Sequence, residues 1–124
     1  MDYIEVSHQV LECISSREFD TLRTLLDNEA TMELPYAPDG VPALTEGAEN
    51  IVAAVAYVEE HFRVFKLQPH EAYFCRDSET VILEATSMGV RKPSGTYQNR
   101  YVFVFRFKGN KILRWREYLN PLQL

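Results

Sequence analysis

Residues 97–119 read YQNRYVFVFRFKGNKILRWREYL, with apolar side chains at every second position over most of their length. Because successive side chains of a strand point to opposite faces, this period predicts two strands, at 96–108 and 111–119. Gly109 and Asn110 between them suit a two-residue hairpin turn that needs a positive φ angle. The stretch therefore predicts an antiparallel hairpin with one continuous apolar face.

One carboxylate interrupts that apolar face. Glu117 alternates with Leu113 and Trp115, whereas Ile112 and Arg114 are predicted to lie on the opposite face. An ionised carboxylate on a buried face is costly unless it is paired or opens onto water. Glu117 is therefore the first candidate for a functional residue. A buried salt bridge to an arginine is the structural alternative.

Length, charge and cysteine content limit the class of protein. With 124 residues the chain is expected to form one domain, 1–124, around a single core. The net charge of −5 argues against nucleic acid as a partner, because phosphates attract clustered Lys and Arg. No apolar run is long enough to span a membrane and the N-terminus lacks a signal pattern, so no membrane contact and a cytoplasmic location are expected. Cys13 and Cys75 fit as free thiols, and neither has metal-ligand spacing.

The rest of the chain has helical patterns first and strand patterns second. Proline and glycine in the segment 35–47 are typical of a loop. Helices grouped ahead of antiparallel strands indicate an α+β fold with the helices on one face of the sheet. Apolar spacing predicts helices at 2–15, 19–27 and 49–65 and further strands at 31–34, 68–76 and 80–90.

This order of elements resembles a known family. The segments FDTLRTLLDNEATMELP (19–35) and YQNRYVFVFRFKGNKILRWREYLNP (97–121) are similar to the nuclear transport factor 2-like cone. More narrowly, they resemble the SnoaL-like polyketide cyclase and ketosteroid isomerase group. The resemblance implies a cone-shaped barrel: a curved, mixed, mainly antiparallel sheet wrapped over three N-terminal helices. It also implies a homodimer formed through the outer face of the sheet.

The functional positions of ketosteroid isomerases do not carry over to this chain. Their general base directly precedes the proline that ends the first strand, and Leu34 takes that place here. Their oxyanion-hole tyrosine and acid correspond to Val10 and Phe103. Because all three residues are apolar, the resemblance argues against steroid isomerisation.

The phenazine-biosynthesis members of the group have a tail more similar to this one. Their acid/base glutamate lies in an Arg-Glu-aromatic triplet and corresponds to Glu117, and a pocket tyrosine corresponds to Tyr97. Their helix histidine corresponds to Ala54, which argues against a phenazine-type condensation. The resemblance thus implies acid/base chemistry by Glu117.

The candidate catalytic residues are Glu117, Tyr97 and Asn99. Tyr97 and Asn99 could hold a substrate oxygen, although Asn99 could equally satisfy a backbone group. Glu84 is placed inward by the family alignment, but the opposite face of its strand is equally apolar. The expected ligand-contacting residues are Glu84, Trp115, Tyr101, Phe103, Met32, Leu34 and Tyr36.

These residues predict a small-molecule pocket protein. The interpretation is an isomerase, cyclase or dehydratase-type enzyme that moves a proton beside a carbonyl of a small apolar or aromatic ligand, without cofactor or metal. A non-catalytic ligand-binding protein and an assembly domain of the same fold are the alternatives. An open cavity that reaches Glu117 would exclude the assembly domain, and a filled cone would exclude the other two.

Overall fold

The computed structural model describes residues 2–124. Asp2 caps the first helix, because its side chain accepts a 3.0 Å hydrogen bond from the Glu5 amide. Short 3₁₀ turns follow the third and the last strand, at Arg76–Ser78 and Pro121–Gln123. The helices are α1 (Tyr3–Ser15), α2 (Phe19–Thr24), α3 (Ala48–Val55) and α4 (Tyr57–His61). The strands are β1 (Leu26–Glu33), β2 (Leu44–Glu46), β3 (Phe62–Cys75), β4 (Thr80–Arg91), β5 (Thr96–Lys108) and β6 (Lys111–Leu119).

The six strands form one open sheet in the order β2-β1-β6-β5-β4-β3. β1 and β6 are parallel, and every other neighbouring pair is antiparallel. Helix α1 packs against β3, near one edge of the sheet, and α3 packs against β1, near the other. α3 and α4 are separated only by Ala56 and make up the third helical segment. The predicted α+β cone, a mixed and mainly antiparallel sheet around three helical segments, is confirmed.

Several predicted boundaries are wrong because tertiary pairing overrides local patterns. The third helical segment ends at His61 rather than at position 65, since Phe62 and Phe65 already pair with β4. Both rings are buried and pack on Tyr97, with ring centroids 5.6 and 6.4 Å away. Helix α2 ends at Thr24 rather than at position 27, because β1 begins at Leu26. The burial of aromatic rings therefore extends β3 at the expense of the helix.

The hairpin forms as predicted, with one correction in β6. Lys108 pairs with Lys111 across a turn in which Gly109 has a φ of +60°. A β-bulge follows, because Phe107 lies opposite Ile112 but its neighbour Arg106 lies opposite Arg114. The bulge turns the Ile112 side chain into the core, where it is fully buried, whereas the alternation predicts an outward position.

The core lies between the inner face of the sheet and the helices. Its largest fully buried side chains are Trp115, Phe103 and Phe105, which pack edge to face with centroids 6.4 Å (Trp115 and Phe103) and 5.3 Å (Trp115 and Phe105) apart. Val10 and Leu11 of α1 and Ile51 of α3 close the core from the helical side. None of the helices in residues 2–124 is both long and apolar enough to cross a membrane.

Candidate active site

Glu117 lies on the inner face of β6, beyond the bulge. It is directly opposite Phe103 of β5 and two residues after the buried Trp115. The indole Nε1 of Trp115 donates a hydrogen bond to Glu117 Oε1 at 3.2 Å. The fold therefore places the Glu117 carboxylate among aromatic side chains, as the alternation in residues 97–119 predicts.

The carboxylate of Glu117 has no cationic partner in residues 2–124. The ion pairs there are Arg23 with Glu49, Arg114 with Glu33, and a 3.9 Å contact of His61 with Glu60 that requires a protonated imidazole. The structural alternative, a buried pair between Glu117 and an arginine, is thus absent from the described chain. The carboxylate carries its desolvation cost without ionic compensation.

The second oxygen of Glu117 keeps some contact with solvent. Oε2 has no hydrogen-bond donor within residues 2–124, and no fully buried polar side-chain atom there lacks a partner. Oε2 must therefore be accessible, in agreement with the partial exposure of the residue as a whole. Glu117 thus offers one oxygen fixed by Trp115 and one oxygen free to meet water or a ligand.

This environment changes the acidity of the carboxyl group. Burial raises the pKa of Glu117 from its ordinary value of 4.5 to about 7, and the hydrogen bond from Trp115 acts in the opposite direction. Both protonation states are consequently populated near neutral pH. A carboxyl group in this condition can accept and return a proton, as general acid/base chemistry requires.

A chain of hydroxyl groups lies on the same face of β5 and β4. Tyr101 Oη is 2.9 Å from Ser87 Oγ and 3.5 Å from Tyr97 Oη, and all three residues are buried. Burial raises the pKa of Tyr101, and the neighbouring Tyr97 and the charge of Glu117 act in the same direction. Tyr101 therefore stays protonated. Ser87 could not be predicted as part of this chain of hydroxyl groups, because its inward position depends on the register between β4 and β5.

Asn99 is occupied by contacts within the chain. Its Nδ2 donates to Tyr97 Oη at 2.7 Å and to the Asn120 carbonyl at 3.1 Å, and its Oδ1 accepts from the Asn120 amide at 3.0 Å. Because an amide NH₂ can only donate, Tyr97 Oη is the acceptor at that contact. The hydroxyl hydrogen of Tyr97 is left for Tyr101 or for a ligand. Asn99 therefore satisfies backbone groups of Asn120, which is one of the two roles predicted for it.

Two of the predicted ligand-contacting side chains lie on the outer side of the sheet, away from Glu117. Glu84 is exposed on the outer face of β4, because Leu83 and Ala85 take the inward positions of that strand. Tyr36 is 56% exposed and packs on Tyr118, which lies on the face opposite Glu117, with ring centroids 6.0 Å apart.

The remaining predicted wall residues lie on the inner side near Glu117. Met32 of β1 is buried and is in register with Trp115, and Leu34 follows at the partly buried end of the same strand. Phe103 and Tyr101 reach the same region from β5. These side chains supply an apolar surround for the carboxylate.

Two open clefts lie elsewhere on the surface. The larger, of about 590 Å³, involves β3, β4, β5 and the C-terminal turn, and the smaller, of about 270 Å³, lies between α1 and β3. Glu117 lines neither cleft, so neither of them is the open cavity that would exclude the assembly domain. Within residues 2–124 there is also no group of three His, Cys, Asp or Glu side chains that could hold a metal ion.

Comparison with known proteins agrees with this architecture. The model of the SnoaL-like domain matches residues 8–115. An uncharacterized PhzA/B-like protein of Pseudomonas aeruginosa is 33% identical over 100 residues, which cover 80% of this chain and 70% of that protein. The uncharacterized protein YesE of Bacillus subtilis is 28% identical over 119 residues, 95% of this chain and 81% of YesE. The crystal structure of a B. subtilis protein described as a candidate isomerase is 29% identical, with a TM-score of 0.84 over 96% of this chain and 86% of that one.

Proposed function

Because the chain belongs to the SnoaL-like domain family, we propose that it is a cofactor-independent enzyme that transfers a proton beside a carbonyl group. The substrate class is a small apolar or aromatic molecule, and the reaction an isomerisation, cyclisation or dehydration. The single observation that carries the proposal is the unpaired Glu117, whose pKa of about 7 lies in the working range of an acid/base.

The proposed chemistry divides between two groups. Glu117 takes a proton from the carbon next to the carbonyl through its free Oε2 and later returns a proton to the product. The Tyr97 hydroxyl donates a hydrogen bond to the carbonyl oxygen, where negative charge develops. Asn99 acts as a positioning residue, since its Nδ2 orients Tyr97 Oη at 2.7 Å. Trp115 and Phe103 keep the dielectric constant low around these contacts.

Carbon-acid exchange tests this proposal without knowledge of the natural substrate. The probe is 2-tetralone, an aryl-fused ketone with acidic protons beside its carbonyl, incubated with the protein in D₂O and followed by proton NMR. We expect exchange faster than in buffer, and a loss of at least about 100-fold of this acceleration in Glu117→Gln, the usual range for removal of a general base.

Glu84→Gln is the matched control for this experiment. It removes a carboxylate of the same type from the exposed outer face of β4. Exchange should therefore be unchanged in this variant. Equal rates for the wild type and Glu117→Gln would refute the acid/base role. Binding of the ketone without any exchange by the wild type would favour the ligand-binding alternative instead.

We also propose that two copies pair through the outer face of the sheet. Support comes from Tyr73, which is 54% exposed there, and from the part-exposed Ile82 and Val104 that are in register with it. Sedimentation should give twice the chain mass of 14.4 kDa at micromolar concentration. Val104→Arg should shift the mass toward the monomer, whereas a monomeric wild type would remove this proposal.

A further inference from the structure

The larger cleft is a separate feature of the molecule from the surroundings of Glu117. It has a volume of about 590 Å³, which is within the range of small-molecule sites. Strands β3, β4 and β5 contribute most of it, and the C-terminal turn contributes Asn120 and Gln123. Its lining residues are Lys66, Leu67, Gln68, Thr86, Ser87, Met88, Gln98, Asn99, Arg100, Asn120 and Gln123.

The charge of this lining is opposite to that of the whole chain. The protein has 18 acidic and 13 basic side chains, yet the cleft contains Lys66 and Arg100 and no Asp or Glu. Neither cation forms an ion pair within residues 2–124, and two cations in a concave surface create a positive potential that attracts anions. Glu84, which lies diagonally across from Arg100 on the same face, lies outside the lining and reduces this potential. The cleft therefore differs electrostatically from the protein around it.

Both cations have donors available for a ligand. The Arg100 guanidinium makes no ion pair or hydrogen bond with any side chain or backbone group of residues 2–124, so its five N–H groups are uncommitted. Lys66 Nζ donates one hydrogen bond, to the Ser15 carbonyl at 3.0 Å, and this contact fixes the ammonium group in place. Arginine offers the planar pair of donors that matches a carboxylate.

The uncharged part of the lining indicates an organic anion. Met88 provides apolar surface on the outer face of the sheet and is 61% exposed. Side-chain amides of Gln68, Gln98 and Gln123 provide both donors and acceptors around it. An inorganic ion would leave the apolar surface in water, whereas a small carboxylate with a hydrocarbon or aromatic body would cover it.

We propose that this cleft is a binding site for a small organic carboxylate, with Arg100 as the bidentate partner of the carboxylate and Lys66 as the second cation. Glu117 does not line this cleft, so ligand binding here can be tested independently of the proposed enzymatic activity. Met88 contacts the apolar body of the ligand.

Calorimetric titration at low ionic strength tests the proposal with benzoate as the probe. Benzamide is the neutral isostere, and inorganic phosphate is the anion without an apolar body. We expect benzoate to bind at least about tenfold more tightly than benzamide, because only benzoate forms a charge-assisted pair with Arg100. Benzoate should also bind more tightly than phosphate, because only benzoate covers the apolar surface. Equal affinities for benzoate and benzamide, or for benzoate and phosphate, would overturn the assignment. Absence of benzoate binding at millimolar concentration would do the same.

Arg100→Gln and Arg106→Gln form the matched pair of variants. Both arginines are exposed on β5 with the same orientation, but only Arg100 lines the cleft. Arg100→Gln should weaken benzoate binding at least about tenfold, and Arg106→Gln should leave it unchanged. Equal losses would show a general charge effect and refute the site. A change of elution volume confined to Arg100→Gln would assign Arg100 to the dimer surface and also refute it.

Discussion

Replacement of Glu117 by glutamine should make the protein more stable at neutral pH and leave it unchanged in acid. Glutamine has nearly the same shape, and its side-chain oxygen can still accept the hydrogen bond from Trp115. What the substitution removes is the charge, which the folded protein holds without a cationic partner in residues 2–124. The stability difference between the two proteins therefore reports the cost of ionising Glu117 inside the fold.

The sign of the effect follows from the raised pKa. Well below pH 4.5 Glu117 is protonated in both the folded and the unfolded chain. Its ionisation then does not lower the free energy of unfolding. Between pH 4.5 and about 7 Glu117 ionises in the unfolded chain but stays mostly protonated in the folded chain. The wild type therefore loses stability as the pH rises. At about 1.4 kcal/mol per unit of pKa, the full penalty is about 3 kcal/mol. This figure is an upper bound, because Oε2 retains contact with water.

Chemical denaturation of both proteins between pH 5 and 8 provides the measurement. All other titrating groups are shared, so the difference in unfolding free energy isolates Glu117. We expect the advantage of Glu117→Gln to grow by about 2 kcal/mol over this interval. A constant difference would contradict the raised pKa. A loss of about 3 to 5 kcal/mol in the variant at pH 7 would mean that Glu117 is ion-paired, and would refute the reasoning outright.

Three further outcomes follow from the packing. Trp115→Phe removes the indole donor, so NMR titration with ¹³C-labelled glutamate should show the pKa of the neighbouring carboxyl rising by about one unit beyond its value of about 7. Ile112→Ala should cost about 2 to 5 kcal/mol in thermal or chemical unfolding because that side chain is fully buried, whereas Leu113→Ala at the bulge should cost clearly less. Equal costs would contradict the bulge. Asn99→Ala should cost about 1 to 3 kcal/mol and speed amide exchange at the C-terminal turn, while the exposed Gln98→Ala should change stability by less than about 0.5 kcal/mol.

Much of the fold follows from short-range patterns in the sequence. The period of two in residues 97–119 predicts the hairpin, and Gly109 at its turn has the positive φ angle that the hairpin requires. The same period places Glu117 on the face of Trp115. Both the geometry of the turn and the alternation of side chains are properties of a few neighbouring residues. The sequence alone is therefore enough to identify Glu117 as a carboxylate on an otherwise apolar face.

Other features depend on which strands pair and in which register, and only the tertiary structure decides them. The bulge that buries Ile112 arises from its pairing with Phe107. Leu83 is buried on the inner face of β4, so the neighbouring Glu84 points outward. The sequence could not decide this, because both faces of that strand carry apolar side chains. The absence of a cation beside Glu117 within residues 2–124 also depends on distant elements. Register and charge pairing are long-range properties, because hydrogen bonds and ion pairs join residues far apart in the chain.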